Sequence, residues 1–318
     1  LMEKFKSYTT EAKEEKYKLL ILSHDDPFDP NETGPMVRKK ASELGIEVYL
    51  AEFSGMYMED KGKDQLVYSF PVDDDGKVEL PGMKDDAKYD KPFRINPENT
   101  LVMARGIGST VKTGNLSWRV ACLNLENQGY TLINSVICHD ICNDKWYNQI
   151  IFQQNDIRTP NTVLVRHSEG AEDAAKRLGN KFPMILKTAV GSRGVGVIWI
   201  ESLKSLHSTI QLLHREDEFV DVLLQEYIKT DYDVRVIIAA GKILGAIKRP
   251  VIGDDFRSNV SQGSEPESHE LTEREAQESL RAAASVEGQV VGVDFIPAKN
   301  RDKESPYFIE VNSTPGLM

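Results

Sequence analysis

Gly292-Val293-Asp294-Phe295, followed by Phe308-Ile309-Glu310-Val311-Asn312-Ser313-Thr314-Pro315-Gly316, is the stretch on which the reading of this chain turns. Asp294 stands in an apolar, strand-like run over 290–297. Glu310 stands in a second run over 307–311, with Asn312 just beyond it. Side chains two apart on a strand point to the same side, so Glu310 and Asn312 face one way together. Two carboxylates and an amide oxygen converging from neighbouring strands make an all-oxygen site. Hard cations such as magnesium take that ligand set, with nucleotide phosphates completing the shell. A lone acid on a strand more often faces water; the Pro-Gly stop directly after Glu-x-Asn favours the metal–nucleotide reading.

Bulk properties bound what surrounds this stretch. A chain of 318 residues exceeds the usual single-domain size, so two or three compact units are expected. The formal charge of −11 argues against general nucleic-acid affinity and against a polybasic membrane anchor. No apolar run is long enough to span a bilayer. The charged N-terminal segment lacks an apolar secretory core, so a cytoplasmic protein is expected; residues 1–16 are set aside as an extension. Cys122, Cys138 and Cys142 do not make a disulfide framework. Cys138-His139-Asp140-Ile141-Cys142 supplies at most three soft or borderline ligands and lacks the second cluster of a zinc site. It reads better as half-buried cysteines beside a helix start.

Apolar periodicity gives the organisation. A strand over 18–23, a helix over 36–44 and a strand over 46–53 begin a small parallel-sheet domain. Residues 59–99 break the pattern with Asp73-Asp74-Asp75, several prolines and glycines, and dense charge, and read as an excursion or hairpin. Order returns with a strand over 101–105, a helix over 116–127, a strand over 130–133 and one helix over 140–155. Alternation continues to a hairpin over 234–249 turned at Gly241-Lys242, a polar loop over 253–268, and a helix over 273–286 before the two acidic strands.

Gly191-Ser192-Arg193-Gly194-Val195-Gly196 lies between strands over 184–187 and 195–200. A Walker loop or a dinucleotide fingerprint would open a helix, so both are excluded. A glycine-rich hairpin can instead fold over phosphates and offer backbone N–H groups, and Lys187 just before it is a point charge suited to phosphate oxygens. An ordinary hairpin with a surface lysine is the plainer reading of this loop by itself.

The loop has company. Lys145, Lys187, Gln225-Glu226-Tyr227-Ile228, Asp233-Val234-Arg235, Asp255-Phe256-Arg257-Ser258-Asn259, Gly292-Val293-Asp294 and Glu310-Val311-Asn312-Ser313-Thr314-Pro315-Gly316 occur in this order. The order resembles the ATP-grasp superfamily, and more narrowly the RimK-type amino-acid ligases, over about 101–316. The resemblance implies an α+β fold: a parallel α/β domain over 17–139, a central lid lobe over 140–223 and a metal-bearing lobe over 224–318. It implies ATP and magnesium, two ions with manganese as a substitute. Lys145 and Lys187 would then bind phosphates, with Gly191, Ser192, Arg193 and Gly194 folding over them. Glu226 and Tyr227 would meet adenine and Asp233 the ribose. Arg257, Ser258 and Asn259 would hold phosphate and acyl phosphate, with Arg249 and Asn259 as the catalytic pair. Asp294, Glu310 and Asn312 would carry the metal.

Arg105, with Ser109 nearby, would take an acceptor carboxylate, since a guanidinium fork suits that geometry. The implied partners are an amino acid, glutamate first, and a small-molecule, peptide or protein acceptor; a homo-oligomer is left open. The chain departs from the RimK pattern at Val190, where an acidic residue is usual, at Lys248 and Pro250 around Arg249, and over 59–99. It stops two residues after Gly316 without the terminal helix that the resemblance implies. A non-catalytic ATP-binding module of the same fold, and a phosphotransferase without an amine substrate, are the alternatives.

Overall fold

The computed structural model describes residues 17–23, 33–52, 56–62, 64–69, 91–105, 116–190, 196–216, 220–251 and 267–316. The described chain forms two compact units, one reaching to Ile133 and one running from Asn134.

In the first unit, β1 (Lys18–Ser23), β2 (Glu47–Glu52), β6 (Thr100–Ala104) and β7 (Thr131–Ile133) form a sheet in the order β2-β1-β6-β7, parallel throughout. Helix α1 (Thr33–Glu43) lies between β1 and β2 in the chain, and α2 (Leu116–Asn127) between β6 and β7. Ile21, Leu50 and Met103 give the sheet a buried apolar cluster, as parallel strands require. The strand order reverses between β1 and β6, because the chain leaves β1 on one side for β2 and returns on the other. Beginning just ahead of the segment expected to be an excursion and running into it, β3 (Tyr57–Lys61), β4 (Asp64–Tyr68) and β5 (Phe93–Ile95) form an antiparallel three-stranded sheet.

The second unit holds two antiparallel sheets. In one, β8 (Thr162–Val165), β9 (Met184–Thr188), β10 (Val197–Ile200) and β11 (Val222–Glu226) run in the order β10-β9-β11-β8. One face packs Met184, Leu186, Ile200, Val222 and Leu224 against α5 (Ala171–Arg177) and α6 (Leu203–Glu216). Alternation and register send Ile185, Lys187, Val197, Trp199, Leu223 and Gln225 to the other face.

In the other sheet, β12 (Tyr232–Ala239), β13 (Lys242–Pro250), β14 (Glu267–Ser268), β15 (Val290–Ile296) and β16 (Tyr307–Asn312) run in the order β14-β13-β12-β15-β16. Val234, Val236, Val291, Val293, Phe295, Phe308 and Val311 form its core face with residues of α3 (Val136–Asn143), α4 (Lys145–Gln154) and α7 (Glu273–Ser285). The alternate positions carry the charge. Asp233 pairs with Arg249, Arg235 with Asp294, and Asp294 with Glu310 across neighbouring strands.

The single helix expected over 140–155 is two helices. Asp144 adopts an extended backbone (φ −112°, ψ 111°), which ends α3. Its carboxylate accepts from the N–H groups of Trp146 (2.8 Å) and Tyr147 (3.0 Å) and so starts α4. Asp144 sits inside a continuous apolar period, so the break it makes has no periodic signature.

Phe308 is fully buried, with its ring 6.1 Å from Phe152 and 5.7 Å from Phe295. Phe308→Ala is expected to cost about 3–5 kcal/mol of stability, measured from urea unfolding. A loss below about 1 kcal/mol would mean that the ring cluster does not anchor β16.

Candidate active site

The polar face of the larger sheet centres on Asp294, which is 3% exposed. Arg235 on β12 donates to it twice, Nε to Oδ1 at 2.7 Å and Nη2 to Oδ2 at 2.6 Å. Arg249 on β13 adds a bond from Nη2 to Oδ2 at 3.0 Å. The same guanidinium forks onto Asp233, Nε to Oδ1 at 2.6 Å and Nη2 to Oδ2 at 2.7 Å. Burial would raise the Asp294 pKa, but Arg235 and Arg249 outweigh it and hold the carboxyl below its ordinary range. Burial works against the charge of Arg249 too, and Asp294 and Asp233 more than restore it.

Glu310 and Asn312 project from β16 beside this chain of charges. The Asn312 amide lies 3.3 Å from Glu310 Oε1 and 3.5 Å from Asp294 Oδ2, so the three side chains converge. Turning the amide over directs its oxygen to the same point. The donor set therefore fits a hard divalent cation. Among the described residues no group of three or more His, Cys, Asp or Glu side chains could hold a metal ion; here two carboxylates converge with an amide. His139 and Cys138–Cys142 do not make a metal site. The two Sγ atoms lie 4.0 Å apart, and His139 Nδ1 meets Ser313 Oγ at 2.9 Å.

Lys145 and Lys187 reach the electrostatic field of Glu310 from α4 and β9. The Lys145 N–H donates to Ala189 C=O at 2.9 Å, and Asp144 forms a β-bridge with Val190, so the start of α4 is tied to the chain just after β9. Lys187 retains some solvent exposure yet is enclosed by protein. Burial lowers its pKa to about 8, with Glu310 opposing the shift and Lys145 adding to it. Burial also lowers the Lys145 pKa, with Glu310 and Asp144 opposing. Two cationic groups held partly desolvated in this way are set to gain from an anion.

Glu226 accepts from the Asn161 N–H at 2.8 Å, so its carboxylate ties β11 to the start of β8. Tyr227 meets Trp199 of β10 edge to face at 4.8 Å. Trp199 shares a sheet face with Lys187 and escaped the sequence reading; the alternation Val197, Trp199 was the signal. Arg235 stood in the quoted motif Asp233-Val234-Arg235 without a role of its own, although its spacing from Asp233 puts both on one face. Asp233, expected at a ribose, is engaged by Arg249. Gly196 has φ +82° and a Cβ there would lie 2.6 Å from Thr188 Oγ1, so the chain re-enters β10 at a position only glycine fits. Gly191, Ser192, Arg193, Gly194, Arg257, Ser258, Asn259 and Ser109 lie outside the described residues.

In the first unit, Arg105 follows the C-terminal end of β6, where the strand order reverses. Its N–H donates to Leu22 C=O at 2.8 Å and the residue is 4% exposed. Burial lowers its pKa to about 10. Open α/β sheets bind ligands at such switch points.

The RimK-like ATP-grasp domain model matches residues 142–318, and the chain belongs to that family. It is 33% identical over 176 residues to a probable alpha-L-glutamate ligase of Rhodopirellula baltica, covering 55% of this chain and 42% of that protein. It is 32% identical over 211 residues to a protein of the same name from Histophilus somni, covering 64% of this chain and 67% of that one. The chain thus spans less than half of the first relative and two thirds of the second. Among solved structures, it resembles a RimK-domain ATP-grasp protein of Sphaerobacter thermophilus (14% identity, TM-score 0.62, 92% and 90% of the two chains). It also resembles the Bacillus anthracis D-alanine–D-alanine ligase complexed with ATP (18%, 0.59, 95% and 88%). The fold is ATP-grasp. No helix of the described residues is long and apolar enough to cross a membrane.

The lowered Lys187 pKa sets a pH dependence. The ammonium is present below about 8 and is lost as pH rises through that value, while a bound phosphate would hold the proton on. Affinity for ADP should be level at neutral pH and then weaken, approaching roughly ten-fold per pH unit. Lys187→Arg, which stays charged, should flatten the profile. Calorimetric titration from pH 7 to 9.5 checks this; a level wild-type profile would rule out a phosphate contact by Lys187.

Proposed function

We propose that the chain is an ATP-dependent carboxylate–amine ligase. It would phosphorylate a carboxylate to an acyl phosphate that an amine then attacks, releasing an amide, ADP and phosphate. The observation that carries this reading is the meeting of Asp294, Glu310 and Asn312 with Lys145 and Lys187 in one electrostatic neighbourhood. Phosphoryl transfer needs positioning and charge stabilisation more than covalent help, and this inventory is of that kind.

In the proposed roles, Lys145 and Lys187 hold phosphate oxygens, and Trp199 and Tyr227 border the adenine. Asp294, Glu310 and Asn312 hold magnesium, which when bound neutralises charge on the β- and γ-phosphates. Arg249, anchored on Asp233 and Asp294, presents fixed positive charge beside the transferring phosphoryl group. Arg105, buried at the switch point of the parallel sheet, holds the acceptor carboxylate. Arg257, Ser258 and Asn259 keep their family-implied roles at the acyl phosphate. The relatives' names support glutamate as the added amino acid.

Hydroxylamine competes with the amine for an acyl phosphate, so turnover with ATP, magnesium and a carboxylate substrate should yield a hydroxamate detectable by mass spectrometry. Glu310→Gln should lower turnover by at least about 100-fold while the fold, by circular dichroism, is retained. Tight ATP binding with neither hydroxamate nor amide across a pairwise screen of amino acids and peptides would replace this reading with a non-catalytic nucleotide-binding module. A stable phosphorylated product would point to a phosphotransferase.

A further inference from the structure

We propose that Asn134 and His139 are positioning residues of the acidic site. Both precede the segment that matches the family model, and both grip the residue that follows Asn312. The inference rests on the metal role given above to Asp294, Glu310 and Asn312.

The ladder between β15 and β16 ends at the pair Gly292–Asn312. Asn134 continues it with a side chain. Its Nδ2 donates to Val290 C=O at 2.8 Å and to Ser313 C=O at 2.6 Å. Its Oδ1 accepts from the N–H groups of Gln289 (2.8 Å) and Val290 (2.9 Å). A carboxamide has two donor hydrogens and two acceptor lone pairs, so every position is filled. Asn134 is 1% exposed, and in that setting such a saturated amide fixes the entry of β15 against the exit of β16.

His139 completes the grip from α3. On β16, Glu310 and Asn312 share the polar face, whereas Val311 lies in the apolar core and Ser313 follows on that same side. A hydroxyl pointing into a core needs a partner, and His139 Nδ1, on a residue 1% exposed, supplies it at 2.9 Å. Holding the Ser313 backbone and side chain together fixes the rotation of the chain at Asn312 and so the direction of its amide. Pro315 reinforces this end, its Cβ lying within 3.1 Å of where a Cβ on Gly292 would sit. Groups that orient metal ligands without touching the ion commonly govern affinity by 10- to 100-fold.

The test is calorimetric titration of ADP in EDTA and in magnesium, on the wild type and on His139→Ala, Ser313→Ala, His139→Asn and Asn134→Asp. Wild type should bind ADP more tightly with magnesium. His139→Ala and Ser313→Ala should each lose roughly ten-fold of that magnesium gain while keeping the affinity measured in EDTA. Their combination should lose no more than either alone, because both remove one hydrogen bond. His139→Asn, whose amide can reach the Nδ1 position, should restore most of the gain. Asn134→Asp, which sets a carboxylate oxygen against two carbonyls, should lose it; if that variant does not fold, the His139 and Ser313 variants decide.

Full magnesium gain in folded His139→Ala and Ser313→Ala overturns the inference, as does an equal loss in EDTA and in magnesium, which marks a purely structural role. A wild type that binds ADP without any magnesium gain overturns the metal reading itself.

Discussion

A carboxylate buried in the middle of a sheet is the constraint around which the second unit is arranged. Asp294 at 3% exposure could not stay ionised in an apolar interior by itself. The neighbouring strands bring Arg235 and Arg249 to it, and Arg249 in turn brings Asp233. Removing one partner from such a network leaves an uncompensated charge at a cost of about 3–5 kcal/mol. The sheet therefore needs β12, β13 and β15 in one register, since a slip by one residue would send every charge into the apolar core behind. With Glu310, Lys145, Lys187 and the Asp144 carboxylate beside Lys145 included, four carboxylates stand against four cationic side chains.

The strands and helices were largely legible because their periods are clean. The parallel start of the chain, the hairpin over 234–249 and the two acidic strands follow from apolar alternation, and the two faces of each antiparallel sheet follow from it as well. What could not be read is cross-strand. The resemblance implies a ribose role for Asp233, but nothing in Asp233-Val234-Arg235 announces that Arg249 lies opposite; that depends on where the hairpin turns. Trp199 looked like one more apolar residue of a strand until its register with Ile185 put it on the face of Lys187. Asp144 was hidden for another reason. Its neighbours continue a helical period, and only its side-chain bonds to Trp146 and Tyr147 reveal a cap.

Asn134 and His139 illustrate a further limit. Their partners lie at Gln289, Val290 and Ser313, far along the chain, and a buried polar residue in an apolar segment has no periodic signature. The accounting of buried polar atoms finds such residues only after folding has chosen their partners.

The hydrogen bond from Lys145 to Ala189, with the bridge between Asp144 and Val190, bears on how a chain of this kind can drift in length. Two segments distant in sequence are pinned at a single point, so an inserted or deleted residue between that pin and either lysine would slide one ammonium group against the other. Length changes elsewhere, in the connection from α4 to β8 or from α5 to β9, leave the spacing of the pair untouched. Tolerance to insertion and deletion should therefore stop abruptly at Asp144 and at Ala189, a frontier drawn by two backbone contacts.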